Sequence, residues 1–137
     1  MPKKAMVLAA GLGTRLRPLT DTLPKPLVQV DGTTLIDHAI DRLESAGVRE
    51  VVVNTHYLAD QLEDHLGNRK APDIRFSRET DLLDTGGGVA NALETFGDEP
   101  FFVANSDAFW LNGPFDALVR MANTWNGDDM DGLLLLH

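Results

Sequence analysis

The residues best suited to chemistry lie near the amino end, in Gly11-Leu12-Gly13-Thr14-Arg15 and then in Lys25, which stands between Pro24 and Pro26. Glycines let backbone N–H groups approach phosphate oxygens that a Cβ would hold away. A guanidinium can bridge two such oxygens, and an ammonium adds a compact positive charge. Pro18, Pro24 and Pro26 should keep the segment from continuing as a helix. The flanking prolines predict an extended backbone at Lys25, aiming its side chain and reducing the entropy lost on binding. Farther along, Asn105-Ser106-Asp107 closes an apolar run. A carboxylate there suits either a hard cation or the shaping of a turn. A proline-rich surface turn with incidental charge fits the amino-terminal loop as well, and the loop alone leaves both readings open.

Two familiar phosphate-binding patterns fail. A dinucleotide fingerprint needs a third glycine where Leu16 stands and an acid after the second strand, where the chain has Asn54. A P-loop needs Gly-Lys-Ser/Thr at its end, and no such run is present.

Charge distribution sharpens the anion reading. The net charge of −9 argues against a general nucleic-acid or anionic-membrane binder. Residues 1–25 nonetheless carry a local +4, against −13 over the remaining 112. Lys3 and Lys4 suit solubility, whereas Arg15 and Lys25 sit among glycines and prolines. The absence of cysteine excludes disulfide frameworks, thiolate zinc sites and cysteine nucleophiles. Apolar runs such as Ala5–Ala10 are far shorter than the roughly 20 residues a membrane span needs. No basic segment followed by a long apolar one opens the chain, so a cytoplasmic protein is expected.

The elements that must position these residues follow from hydrophobic patterning. Ala5–Ala10, Val51–Val53 and Phe101–Ala104 read as buried strands, and Ile74–Arg78 alternates like a strand nearer the sheet edge. Thr34 suits the N-cap of a helix through Ala46 with Leu35, Ile36, Ala39, Ile40 and Leu43 as one stripe, ended by Gly47. Leu58, Leu62 and Leu66 mark a second helix, ended by Gly67. A glycine cluster at Thr85–Gly88 leads into a short helix bearing Val89, Ala92, Leu93 and Phe96. Pro114 suits the first turn of a helix reaching Asn123, with Phe115, Leu118, Val119 and Ala122 inward. Leu133–Leu136 reads as a last strand. This alternation predicts one α/β domain over 1–137, with a mostly parallel sheet and helices on both faces. The sequence stops within an apolar run, so a longer protein or a partner strand is expected.

The loop Gly11–Thr20, followed by Pro24-Lys25-Pro26, resembles the signature of the sugar-phosphate nucleotidyltransferases. Leu83-Asp84-Thr85-Gly86-Gly87-Gly88 and Asn105-Ser106-Asp107 are similar to that family's nucleoside-binding turn and its metal-binding aspartate. Within the family, the triple glycine and His56-Tyr57-Leu58 most resemble the N-acetylmuramate 1-phosphate uridylyltransferases. Mannose-1-phosphate guanylyltransferases and glucose-1-phosphate nucleotidyltransferases are the alternatives.

The resemblance implies a Rossmann-like, GT-A-like nucleotide-binding core whose acceptor-sugar half is missing. It implies attack by a sugar 1-phosphate on the α-phosphorus of a nucleoside triphosphate, with UTP the nucleotide expected. Arg15 would serve the pyrophosphate side and Lys25 the α-phosphate and incoming phosphate, each worth roughly 3–4 kcal/mol in the transition state. Leu8, Ala9, Ala10, Gly11, Gly13, Thr14, Thr85 and Gly86 would bind the nucleotide, and Asp107 would hold Mg²⁺. The family's second metal-binding aspartate would fall beyond residue 137. Glu79 stands where relatives place a base-contacting glutamine; a surface pair with Arg78 or Arg75 is the alternative. A nucleotide-binding module without turnover is the non-enzymatic alternative, and an NAD-dependent oxidoreductase is disfavoured by Leu16.

Other residues point to structure. His56 and His65 flank an acidic helix at a spacing that does not share a face, Asp128, Asp129 and Asp131 suit an exposed turn, and Trp110 and Trp125 are expected to anchor a helix or stack on a ligand.

Overall fold

A computed structural model describes residues 1–136. Strand β1 (Lys4–Leu8) leads into three short 3₁₀ turns at Thr14–Leu16, Leu19–Asp21 and Lys25–Leu27. A small hairpin follows, β2 (Gln29–Val30) and β3 (Thr33–Thr34), then α1 (Leu35–Ser45), β4 (Glu50–Thr55), α2 (Ala59–Leu66) and β5 (Asp73–Arg78). The chain continues through α3 (Asp84–Phe96), β6 (Phe102–Asn105) and α4 (Ala117–Thr124).

The main sheet has four strands in the order β5-β4-β1-β6, and every pair in it is parallel. From β1 the chain moves outward through β4 to β5, then returns to place β6 on the other flank of β1. Strand order therefore reverses at β1, and in open α/β sheets ligands bind beyond the carboxyl ends of the strands at such a point. Register brings Asn54, Leu8 and Asn105 side by side at that edge.

Side chains of opposite parity divide the core into two layers, as strand geometry requires. Ala5, Val7, Val51, Val53 and Phe102 pack with Ile36, Ile40 and Leu43 of α1, Leu62 and Leu66 of α2, and Leu118 of α4. Met6 and Val52 face the other way, against Ala92 and Phe96 of α3. The result is a three-layer α/β fold.

Helix α1 ends as its sequence predicts. Thr34 Oγ1 accepts from Asp37 N at 3.2 Å, and at the far end Gly47 has φ +99°. Val48 N reaches Leu43 O at 3.0 Å and Gly47 N reaches Glu44 O at 2.9 Å, which satisfies the last carbonyls of the helix. Between α1 and α2, Asp37 collects Arg69 at 2.8 Å and His65 at 2.6 Å, while Arg69 also meets Asp41 at 2.5 Å. Burial alone would raise the Asp37 carboxyl, but hydrogen bonds from Thr34, His65 and Arg69 outweigh it and hold its pKa below the ordinary value.

Several expectations need correction. The first strand stops at Leu8, because Ala9 N bonds to a side chain instead of continuing the ladder. Lys25 does not sit in extended backbone: Pro24 does, and Lys25 opens a 3₁₀ turn closed by Leu27 N→Pro24 O at 2.9 Å. The glycines at 86–88 form the first turns of α3 rather than a loop before it, and Leu93 points outward. Strand β6 is only partly buried, because it has a neighbour on one side and Val103 is 48% exposed. Helix α4 starts after Asp116, whose side chain caps Leu118 N and Val119 N, leaving Phe115 outside it and exposed. Leu133–Leu136 forms no strand, and Leu134 and Leu136 are exposed. Among the described residues no helix is long and apolar enough to cross a membrane.

Candidate functional site

A cleft of about 640 Å³ opens at the carboxyl edge of the sheet, where strand order reverses. Its floor and one wall are Leu8–Leu16 with Lys25 and Pro26; Asn105, the last residue of β6, and Ser106 and Asp107 after it lie on the same flank. The opposite wall is Asn54, Leu82, Asp84 and Thr85. Of the residues singled out from sequence, Leu8, Ala9, Ala10, Gly11, Gly13, Thr14, Arg15, Lys25, Thr85 and Asp107 meet here, although Lys25 and Asp107 are 82 positions apart in the chain. Glu79 is buried behind the wall of the cleft, and Gly86, although exposed, is not among the residues that line it. Neither Trp110 nor Trp125 lines it; Trp110 is partly buried and packs against the core.

The amino-terminal loop is held from within. Thr20 is fully buried, and its hydroxyl donates to Gly13 O at 2.6 Å. Gly13 has φ +64°, and a Cβ there would stand 3.1 Å from both Lys25 Cβ and Thr20 Cγ2. A side chain at 13 would be strained and would also press on the lysine. Gly11 differs: a Cβ would meet nothing within 4 Å, so the space its glycine leaves is open cleft. From outside, Tyr57 donates its hydroxyl to Thr20 O at 2.8 Å, and Gln61 donates to Thr22 O at 3.1 Å. Pro24 and Pro26 are buried on either side of Lys25, so the lysine is pinned by packing rather than by extended backbone.

Across the switch point, the Lys25 ammonium forms an ion pair with Asp107 Oδ2. Both side chains remain about one-third exposed (31% and 37%), so the pair bridges the cleft mouth without being sealed from water. Arg15 is exposed at the same cleft and makes no ion pair there among the described residues. The charges of this flank are thus available to a polyanion.

The opposite wall is tightly bonded. Glu79 is 5% exposed, so it is not a surface ion-pair partner. Arg78 instead pairs with Asp60 and, at 3.7 Å, Glu63, while Arg75 pairs with Glu50 at 3.4 Å. Glu79 Oε1 accepts from Asn54 Nδ2 at 2.8 Å, and Oε2 accepts from Leu83 N at 3.1 Å. Asn54 Oδ1 in turn accepts from Ala9 N at 2.8 Å. His56 Nδ1 meets Glu79 O at 3.0 Å, so this histidine belongs to the frame of the wall. Sequence reasoning misses Asn54 as a site residue; the signal for it is a lone amide closing the apolar run Val51–Val53 at the carboxyl edge.

The donor set suits a magnesium ion. Asp107 offers a hard oxygen at the cleft, with Oδ1 not engaged by Lys25, and Mg²⁺ is commonly held by one or two carboxylates plus substrate phosphate oxygens. No group of three or more His, Cys, Asp or Glu side chains forms a metal cage among the described residues, so the remaining ligands would come from substrate and water.

A family model described as nucleotidyl transferase matches residues 4–134. The chain is 50% identical over 140 residues to an N-acetylmuramate alpha-1-phosphate uridylyltransferase of Caulobacter vibrioides, covering 98% of this chain and 58% of that protein. It is 41% identical over 122 residues to the mannose-1-phosphate guanylyltransferase catalytic subunit beta of Danio rerio, covering 85% and 34% of the two chains. A solved UDP-glucose pyrophosphorylase complexed with UDP-glucose matches with a TM-score of 0.74 and 25% identity over 90% of this chain and 52% of that one. The chain spans about half the length of the curated relatives it matches.

Proposed function

This chain belongs to the nucleotidyl transferase family, and from that premise we propose that its cleft binds a nucleoside triphosphate for transfer of the nucleotidyl group to a sugar 1-phosphate. UTP and N-acetylmuramate 1-phosphate are the substrates favoured, on the likeness to the Caulobacter protein over nearly the whole of this chain. Residues 1–137 act as one nucleotide-binding core, working in the cytoplasm where nucleoside triphosphates are made and used.

The observation that carries the reading is the convergence of Arg15, Lys25 and Asp107 on one cleft beside the Gly11–Thr14 backbone. In the reaction, an oxygen of the sugar phosphate bonds to the α-phosphorus while the bond to the β-phosphate oxygen breaks, and pyrophosphate leaves. No covalent nucleophile on the protein is needed. The work is to align two mutually repelling polyanions and to neutralise charge as it moves onto the leaving group. Arg15 takes the pyrophosphate oxygens, where its planar fork can bridge two of them. Lys25 exchanges part of its contact with Asp107 for the α-phosphate and the entering phosphate. Asp107 would hold Mg²⁺, which when bound would supply charge neutralisation and orient the phosphates. Leu8–Gly11 and the start of α3 at Thr85 and Gly86 flank the base.

Pyrophosphate release, measured with four nucleoside triphosphates against several sugar 1-phosphates, tests this. Release that requires UTP and N-acetylmuramate 1-phosphate supports the favoured pair, and preference for GTP with mannose 1-phosphate would move the assignment to the guanylyltransferases. UTP binding without release under any pairing would leave a nucleotide-binding module.

A further inference from the structure

We propose that Tyr57, together with Gln61, is a positioning residue for the Lys25 ammonium, acting through the Thr20–Thr22 backbone from outside the cleft. The inference rests on the nucleotide-binding reading of the cleft, whose lining includes neither side chain. Tyr57 follows β4 and Gln61 lies in the first turn of α2, 37 and 39 positions from the backbone groups they hold.

Three successive carbonyls are taken up by these two donors. The Tyr57 hydroxyl donates to Thr20 O at 2.8 Å and lies 3.2 Å from Asp21 O, and Gln61 Nε2 donates to Thr22 O at 3.1 Å. The carbonyls close the turn at Leu19–Asp21, and the last carbonyls of a helical turn have no partner farther along it. The donors themselves stand on a fixed base. His56 Nδ1 meets Glu79 O at 3.0 Å, and Thr55 Oγ1 donates to Glu63 Oε1 of α2 at 2.7 Å. Leu58, between the two donors, has φ +51°, a left-handed conformation that strains an ordinary side chain. The bend it makes opens α2 and sets Tyr57 and Gln61 against the same loop.

Both holds lead to Lys25. Thr20 is fully buried, and its hydroxyl donates to Gly13 O at 2.6 Å. Its methyl shares with Lys25 Cβ the space over Gly13, where an added Cβ would come within 3.1 Å of each. Thr22 is separated only by Leu23 from Pro24, the residue ahead of the turn that Lys25 opens. Tyr57 thus fixes the seat on which the lysine stem packs, and Gln61 fixes the chain that enters it. A lysine head rides on a flexible four-carbon stem, so its aim depends on how firmly the stem is rooted.

A brace that serves the fold alone and one that serves the lysine differ in where their loss is felt. The first weakens a ligand by the same factor whether or not Lys25 is present. The second loses its effect once the ammonium is gone, which a double-mutant cycle reads as coupling.

Calorimetric titration with Mg²⁺–UTP of the chain, Tyr57→Phe, Lys25→Ala and the double variant tests the proposal. Tyr57→Phe deletes one hydroxyl and should weaken UTP binding by about fivefold. In the Lys25→Ala background the same change should alter it by less than about twofold. If Tyr57→Phe does not fold, Gln61→Met takes its place in the cycle, with a loss of about threefold expected beside Lys25 and none without it. Unchanged affinity in the folded single variant, or the same loss with and without Lys25, would overturn the positioning role. Failure of the parent chain to bind UTP would overturn the nucleotide reading beneath it, an outcome distinct from the others.

Discussion

The two flanks of the cleft solve different problems with different materials. The flank formed by Gly11–Arg15, Lys25 and Asp107 is charged and partly wet, and its one ion pair among the described residues is open to exchange with a ligand. The link formed by Asn54, Glu79 and Leu83 on the other flank is buried at Asn54 and Glu79 and committed to defined hydrogen bonds. Charge that must be handed to a polyanion has to stay accessible, whereas an amide that is to present one face must have its other bonds committed. The contrast supports the proposal that the first flank serves the phosphates and the second the base.

The sharpest way to break that contrast is Lys25→Ala. Removing a preorganised cation from the charged flank should lower the rate of pyrophosphate release by about a hundred- to a thousandfold, with the thermal midpoint nearly unchanged; an undiminished rate would remove Lys25 from the chemistry. Arg69→Ala probes the opposite property on the far side of α1, where nothing touches the cleft. It removes one of the three side chains that bond the largely buried Asp37, leaving His65 and Thr34, so stability should fall by about 1–3 kcal/mol while nucleotide affinity holds, as denaturant titration with and without UTP would show. Because Asp37 titrates below its ordinary value in the folded state, its contribution is fully present above about pH 4 and is lost as pH falls through the lowered pKa. Asp37→Asn should therefore flatten the acid limb of a stability-against-pH curve.

Thr20→Val keeps shape but deletes the hydroxyl bond to Gly13 O, which keeps only its bond from Leu16 N at 3.0 Å, and the loss of one buried hydrogen bond should cost about 1 kcal/mol of stability. Since that loop packs against Lys25, a loss of triphosphate affinity should accompany it; unchanged affinity would show that the loop is held by Tyr57 and the prolines alone. Arg78→Ala is the smallest change, since its pairs with Asp60 and Glu63 lie on the surface. No measurable shift in thermal midpoint is expected, and a large one would mean that surface pairing, not the buried link, holds the base-side wall.

What can be read from the sequence is local. Helix α1 announces itself by the Thr34 cap, its apolar stripe and Gly47, each close to where it acts. The convergence of the glycine loop with Asp107 is legible because parallel strands end at a common edge. The conformation of Lys25 is not, because burial of Pro24 and Pro26 decides it and proline spacing alone does not. The Glu79–Asn54–Ala9 link is hidden for a similar reason: its bonds join residues 25 and 45 positions apart, and no period in the sequence marks them. Strand β6 and Leu133–Leu136 have strand-like composition, but a strand is made by its neighbours, and among the described residues β6 is paired on one side only.

The account depends on a cationic flank that grips the phosphates of a nucleotide. Calorimetry of Mg²⁺–UTP against the chain and against Lys25→Ala, run side by side with their thermal midpoints, tests it most directly. Affinity that drops by about tenfold or more in a variant as stable as its parent is the result expected. Equal affinities in the two proteins would mean that the triphosphate, if bound at all, is held somewhere else.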